Sequence, residues 1–73
     1  MDFAKLKSIV DQNNVADVIK IDEHKIKVIY KSGNRTFESE IVYDQYKSEE
    51  ELAAVINTEF DRITRGKINT SLP

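Results

Sequence analysis

The chain has no cysteine and a single histidine, His24, among its 73 residues. Without cysteine, neither a disulfide framework nor a thiolate zinc site can staple so short a chain, and the composition fits a reducing compartment. Tryptophan is missing, proline occurs once, and the two glycines, Gly33 and Gly66, lie too far apart to build a phosphate-cradling loop. No apolar run approaches membrane-spanning length, and the start, Met1-Asp2-Phe3-Ala4-Lys5, lacks the basic and apolar regions of a signal peptide. The expected location is the cytoplasm, with no membrane partner.

What is present is enough for one folded unit. Hydrophobic residues at 40% and charged residues at 33% match a globular domain rather than a disordered chain. The length excludes a second independent domain and leaves a thin core, so pairing into a homodimer is one way to bury more surface. A net charge of −2 gives no general attraction to nucleic acid. The distribution is uneven: residues 20–36 carry Lys20, Lys25, Lys27, Lys31 and Arg35 against Asp22 and Glu23, a balance of +3. Residues 37–51 carry Glu38, Glu40, Asp44, Glu49, Glu50 and Glu51 against Lys47, a balance of −5.

Phe3, Leu6, Ile9 and Val10 recur at helical spacing after Asp2, an N-cap residue, which predicts a first helix over residues 2–12. Asn13-Asn14 supplies turn chemistry at its end. From Val15 to Tyr43 the period becomes two and β-branched and aromatic residues dominate, which predicts strands. Gly33-Asn34 suits a two-residue hairpin loop needing positive φ, and it sets Tyr30 against Phe37, Val28 against Ser39 and Ile26 against Ile41. A two-residue loop at Glu23-His24 would set Ile21 against Ile26 and Ile19 against Val28, again joining apolar partners. The opposite face then carries Val18, Lys20, Lys25, Lys27, Ile29, Lys31, Thr36, Glu38, Glu40 and Val42.

Ser48-Glu49-Glu50-Glu51 reads as a capping box opening a second helix, with Leu52, Val55, Ile56, Phe60 and Ile63 as its apolar stripe and Gly66 as its stop. The predicted fold is therefore α+β, a single domain over residues 1–66 in α-β-β-β-α order. It is a three-stranded antiparallel meander with both helices packed on one face. Residues 67–73 are expected to form a disordered tail.

Candidates for chemistry are few. His24 beside Asp22 and Glu23 offers imidazole and carboxylate, but adjacent turn residues point apart and no second histidine exists, so no metal is expected. Glu38 and Glu40 share a strand face, where Lys27 and Lys31 make a cross-strand ion-pair ladder a simpler reading than acid–base catalysis. The serines lie in no nucleophile-elbow context, and Ser48 serves as a cap. The expectation is a protein that is not an enzyme and needs no cofactor.

In element order alone, helix, three strands and helix, the chain resembles double-stranded RNA-binding domains. Those domains grip phosphates with a basic start to their second helix. Here that stretch is Ser48-Glu49-Glu50-Glu51, which would repel phosphate, so the groove-spanning mode is disfavoured. A nucleic-acid contact through the basic hairpin (Lys20, Lys25, Lys27, Lys31, Arg35) is the second reading.

The first reading is a non-catalytic protein-interaction module of regulator, adaptor or inhibitor type, of a size found in bacterial and phage genomes, with self-association as a variant. Its candidate contact residues are Val18, Ile29 and Val42 on the outer sheet face, Tyr46 in the connector, and Glu49 and Glu50 at the acidic helix start. Both outer strands offer edges for strand addition, partly guarded by Lys20, Glu38 and Glu40.

Overall fold

Asp2 and Ser48 start the two helices. The Asp2 carboxylate accepts from the Lys5 backbone N–H at 3.2 Å and the Ser48 hydroxyl from that of Glu51 at 3.1 Å, each satisfying an amide that the first helical turn leaves open. In the computed structural model, which describes the backbone of residues 1–69 and the side chains through Thr64, the elements are α1 (Phe3–Ile9), β1 (Val15–Lys20), β2 (Lys25–Ser32), β3 (Arg35–Val42) and α2 (Glu49–Asn69). The strands form one antiparallel sheet in the order β1-β2-β3. Both helices lie on one face, as the apolar stripes require.

α1 is shorter than the predicted 2–12. Val10 already has extended backbone, with φ −69° and ψ 161°. Asp11 then organises the turn: its carboxylate accepts from the Asn13 N–H at 2.9 Å and from the Asn14 side chain at 2.8 Å. Its own N–H donates to Asn57 of α2 at 3.1 Å, which ties the end of one helix to the middle of the other. Neither asparagine adopts the left-handed backbone that would have made it the stop signal.

The β2–β3 hairpin has the predicted register, with Tyr30 opposite Phe37, Val28 opposite Ser39 and Ile26 opposite Ile41. Among the described residues Gly33 alone takes positive φ, at 61°, which matches the loop type with glycine in its first central position.

The β1–β2 register differs from expectation by one residue. Val18, not Ile19, faces Val28, and Lys20 faces Ile26. The reason is the loop. Glu23-His24 as a two-residue loop would need positive φ at non-glycine residues, and none of the described residues has it. The turn instead spans Asp22-Glu23-His24, closed by the Ile21 N–H donating to the Lys25 carbonyl at 3.0 Å. The Asp22 carboxylate holds it, accepting from the His24 and Lys25 N–H groups at 2.7 and 2.8 Å.

A bulge at Ala16 completes the correction. It adds one residue to β1 between Val15, opposite Tyr30, and Asp17, opposite Ile29. Val15 and Val18, three apart, therefore both point into the core, at 5% and 3% exposure.

Leu6, Val10, Val15, Val18, Ile26, Val28, Tyr30, Ile41, Tyr43, Leu52, Ala53 and Ile56 form the core, with Phe3, Phe37, Tyr46, Val55, Phe60 and Ile63 packed against it. Two aromatic pairs lock helices to sheet: Phe3 meets Tyr43 edge-on at 5.1 Å, and Tyr30 meets Phe60 at 5.9 Å between centroids. Helix α2 does not stop near residue 65 but continues through Gly66 to Asn69. The predicted tail thus begins inside the helix, and its last four residues lie outside the described part. No helix among the described residues is long and apolar enough to cross a membrane.

Candidate functional site

The strand pleat sends alternate side chains of the sheet away from the helices. With the observed register, the outer face holds Ile19 and Asp17 from β1, with Ile21 just beyond its end. β2 contributes Lys25, Lys27, Ile29 and Lys31, and β3 contributes Thr36, Glu38, Glu40 and Val42. Neither helix covers it. Ile19, Ile21 and Val42 are exposed at 42%, 44% and 41%, and Ile29 is half-buried between its charged neighbours.

Ile29 and Val42 stand where the sequence placed them. Val18 does not: the one-residue slip in β1 turns it into the core and brings Ile19 out in its place, with Asp17 rather than Val18 opposite Ile29. Ile19 and Ile21 are the surface residues that sequence reasoning missed. The signal that could have found them is Asp22, whose side chain can close a three-residue turn without glycine.

The basic set is divided by the same slip. Lys20 lies on the helix-covered side of the sheet at its rim, its ammonium 6.0 Å from the centre of the Phe3 ring. Lys27 pairs with Glu38 at 3.2 Å, the diagonal neighbour, although Glu40 is directly opposite. Lys25, Lys31 and Arg35 are exposed with no ion-pair partner among the described residues. The expected basic cluster is thus interleaved with carboxylate, apolar and inward-facing positions.

The acidic start of α2 is bound to α1. Lys5 reaches Glu50 at 2.8 Å and Glu49 at 3.7 Å, and Glu49 also accepts from the Asp2 N–H at 3.0 Å. The Asp2 amide, with Lys5 adding to it, holds the Glu49 carboxyl below the usual range, and the Lys5 ammonium does the same for Glu50. Glu51, the other half of the capping box, reaches the Lys47 N–H at 3.4 Å, one residue short of the cap residue. Tyr46 is half-buried against the core rather than standing free, and a depression of about 350 Å³ opens beside it, bordered by Met1, Glu23, Asp44, Lys47 and Glu49.

His24, in the β1–β2 turn, pairs with Asp44 just after β3, and its carbonyl accepts from the Tyr43 N–H at 2.8 Å, so it joins the turn to the end of β3. No group of three or more histidine, cysteine, aspartate or glutamate side chains converges to hold a metal among the described residues. Asp22, beside His24, is occupied by its two backbone N–H donors, which hold its carboxyl below the usual range. Compared with known proteins, the chain matches no family model, no curated protein and no solved structure.

Proposed function

We propose that this chain is a non-catalytic protein-interaction module, of regulator, adaptor or inhibitor type, whose outer sheet face docks onto another protein. The observation that carries this reading is the exposure of Ile19, Ile21 and Val42, with Ile29 beside them, on the one face that neither helix covers. Single exposed aliphatics are ordinary, but here four share one uncovered face, Ile19 and Ile21 at one edge, Val42 at the other and Ile29 on the central strand, with Lys25 and Lys27 between them, the mixture of apolar and charged side chains that transient interfaces carry. The basic hairpin supports nucleic-acid binding less well, because Lys27 is spent on Glu38 and Lys20 lies on the other side of the sheet.

The test is capture from a lysate, with and without nuclease treatment, by three immobilised forms: the wild type, an Ile19→Asp/Val42→Asp variant and a Lys25→Glu/Lys31→Glu variant. Circular dichroism confirms that each is folded. A protein retained by the wild type and the lysine variant but lost with the aspartates is the expected result. Capture that vanishes with nuclease, or that only the lysine variant loses, overturns the reading in favour of nucleic acid.

A further inference from the structure

The two edges of the sheet are unequal. At β1, hydrogen-bond alternation is fixed by the Ile21-to-Lys25 bond, so the backbone groups of Val18 and Lys20 point to the free edge. That edge is guarded. Ala16 bulges it, the Asp17 carboxylate caps the Val18 N–H at 2.8 Å, and Lys7 from α1 pairs with Asp17 at 3.4 Å.

At β3 neither a bulge nor a side-chain cap on an outward amide is present among the described residues, and its guard is charge alone, from Glu38 and Glu40. The Tyr43 N–H bond to the His24 carbonyl sets the phase of the β2–β3 ladder, so odd-numbered residues of β3 bond to β2 and the backbone groups of Thr36, Glu38, Glu40 and Val42 point outward. The pairing runs without a bulge over all eight residues, Arg35 to Val42. The strand contains no proline and no lysine. These outward amides have no partner among the described residues.

We propose that β3 accepts an extended segment of a partner protein as a fourth strand, and that this segment carries lysine or arginine at alternate positions. This deepens the interaction-module reading and rests on it. The charge on the strand chooses the occupant. Glu38 and Glu40 sit two apart on the outer face beside the open edge; Glu38 already has Lys27, and Glu40 has no ion-pair partner among the described residues. An added strand would lie about 4.8 Å from the glutamate column and about twice that from the lysines of β2, near the distance at which salt screens charge. Opposite charges directly across strands are favourable and like charges are not. The same rule disfavours a second copy. An antiparallel two-fold pairing of β3 centred between Glu38 and Glu40, or on either, sets a glutamate of one copy opposite a glutamate of the other.

The experiment uses the full chain with three synthetic heptapeptides and amide hydrogen exchange read by NMR. One peptide alternates lysine with valine, the second replaces lysine by glutamate, and the third is the lysine peptide with its edge-facing amides N-methylated. The lysine peptide is expected to slow exchange of the Thr36, Glu38, Glu40 and Val42 amides at least tenfold, and the other two to leave them unchanged. Glu38→Lys/Glu40→Lys, checked for folding by its spectrum, should lose the protection and respond to the glutamate peptide instead. Lack of protection by the lysine peptide, or protection that survives N-methylation, overturns the proposal. Protection that grows with protein concentration alone assigns the edge to a second copy and overturns it too. If a partner captured by the wild type depends on Ile19 and Val42 while these amides stay unprotected, only the edge inference falls.

Discussion

The Tyr30 hydroxyl donates to the carbonyl oxygen of Ile56 at 2.9 Å, linking the central strand to α2 inside the core. Tyr30 is fully buried, and burial pushes its phenol well above the usual range. Tyr30→Phe keeps the ring and removes this bond, so it is expected to cost about 0.5–1.5 kcal/mol in urea denaturation. A raised folded-state value means that the unfolded chain ionises first. Stability from this group is complete below pH 10.0, the ordinary tyrosine value, and declines as pH rises past it. The difference between wild type and Tyr30→Phe should therefore shrink in melts above that pH.

The register of β1 makes opposite predictions for neighbouring residues. Val18→Asp buries a carboxylate with no partner and is expected to cost upwards of about 3 kcal/mol or to abolish folding. Ile19→Asp, on the outer face, should stay within about 0.5 kcal/mol. Thermal melts of the two variants decide it: a severe loss at Ile19 with tolerance at Val18 would restore the two-residue loop.

Asp22 accepts two backbone N–H bonds at the β1–β2 turn. Asp22→Ala should cost about 1–2 kcal/mol, with Asp22→Asn recovering part of it, since the amide oxygen can still accept. Urea denaturation of both variants measures the difference.

The contact of Lys5 with Glu49 and Glu50 predicts acid sensitivity. Both carboxyls sit below their ordinary value of 4.5 in the folded state. In the unfolded chain they take up protons first, so their contribution is present above that value and is lost as pH falls through the depressed folded range. Lys5→Met should flatten the fall in melting temperature between about pH 5 and pH 3, and added salt should flatten it in the wild type, because Lys5 and Glu50 are exposed.

How far the sequence could be read turned on its loops. Gly33 announces a tight loop unambiguously, and the register of β2 and β3 follows from it residue by residue. Between β1 and β2 there is no glycine, and Val15, Val18, Ile19 and Ile21 place apolar side chains at both parities, so period alone suits either register. The bulge at Ala16 leaves no compositional mark. Gly66 misled because a helix can run through glycine at a cost of about 1 kcal/mol. The outer-face candidates inherited these outcomes: Ile29 and Val42, anchored to the glycine loop, came out where expected, and Val18, tied to the other loop, did not.

The bulge also decides which changes of length β1 can absorb. A strand keeps its parity only if its residues are counted in twos, and Ala16 is one residue over the count. Deleting it would straighten β1 and still leave Val15 and Val18 on the inner face, two apart instead of three. Deleting Ile19, with the turn pinned by Asp22, would carry Val18 out to solvent. Along this strand a gap is tolerable only where the chain already holds a spare letter.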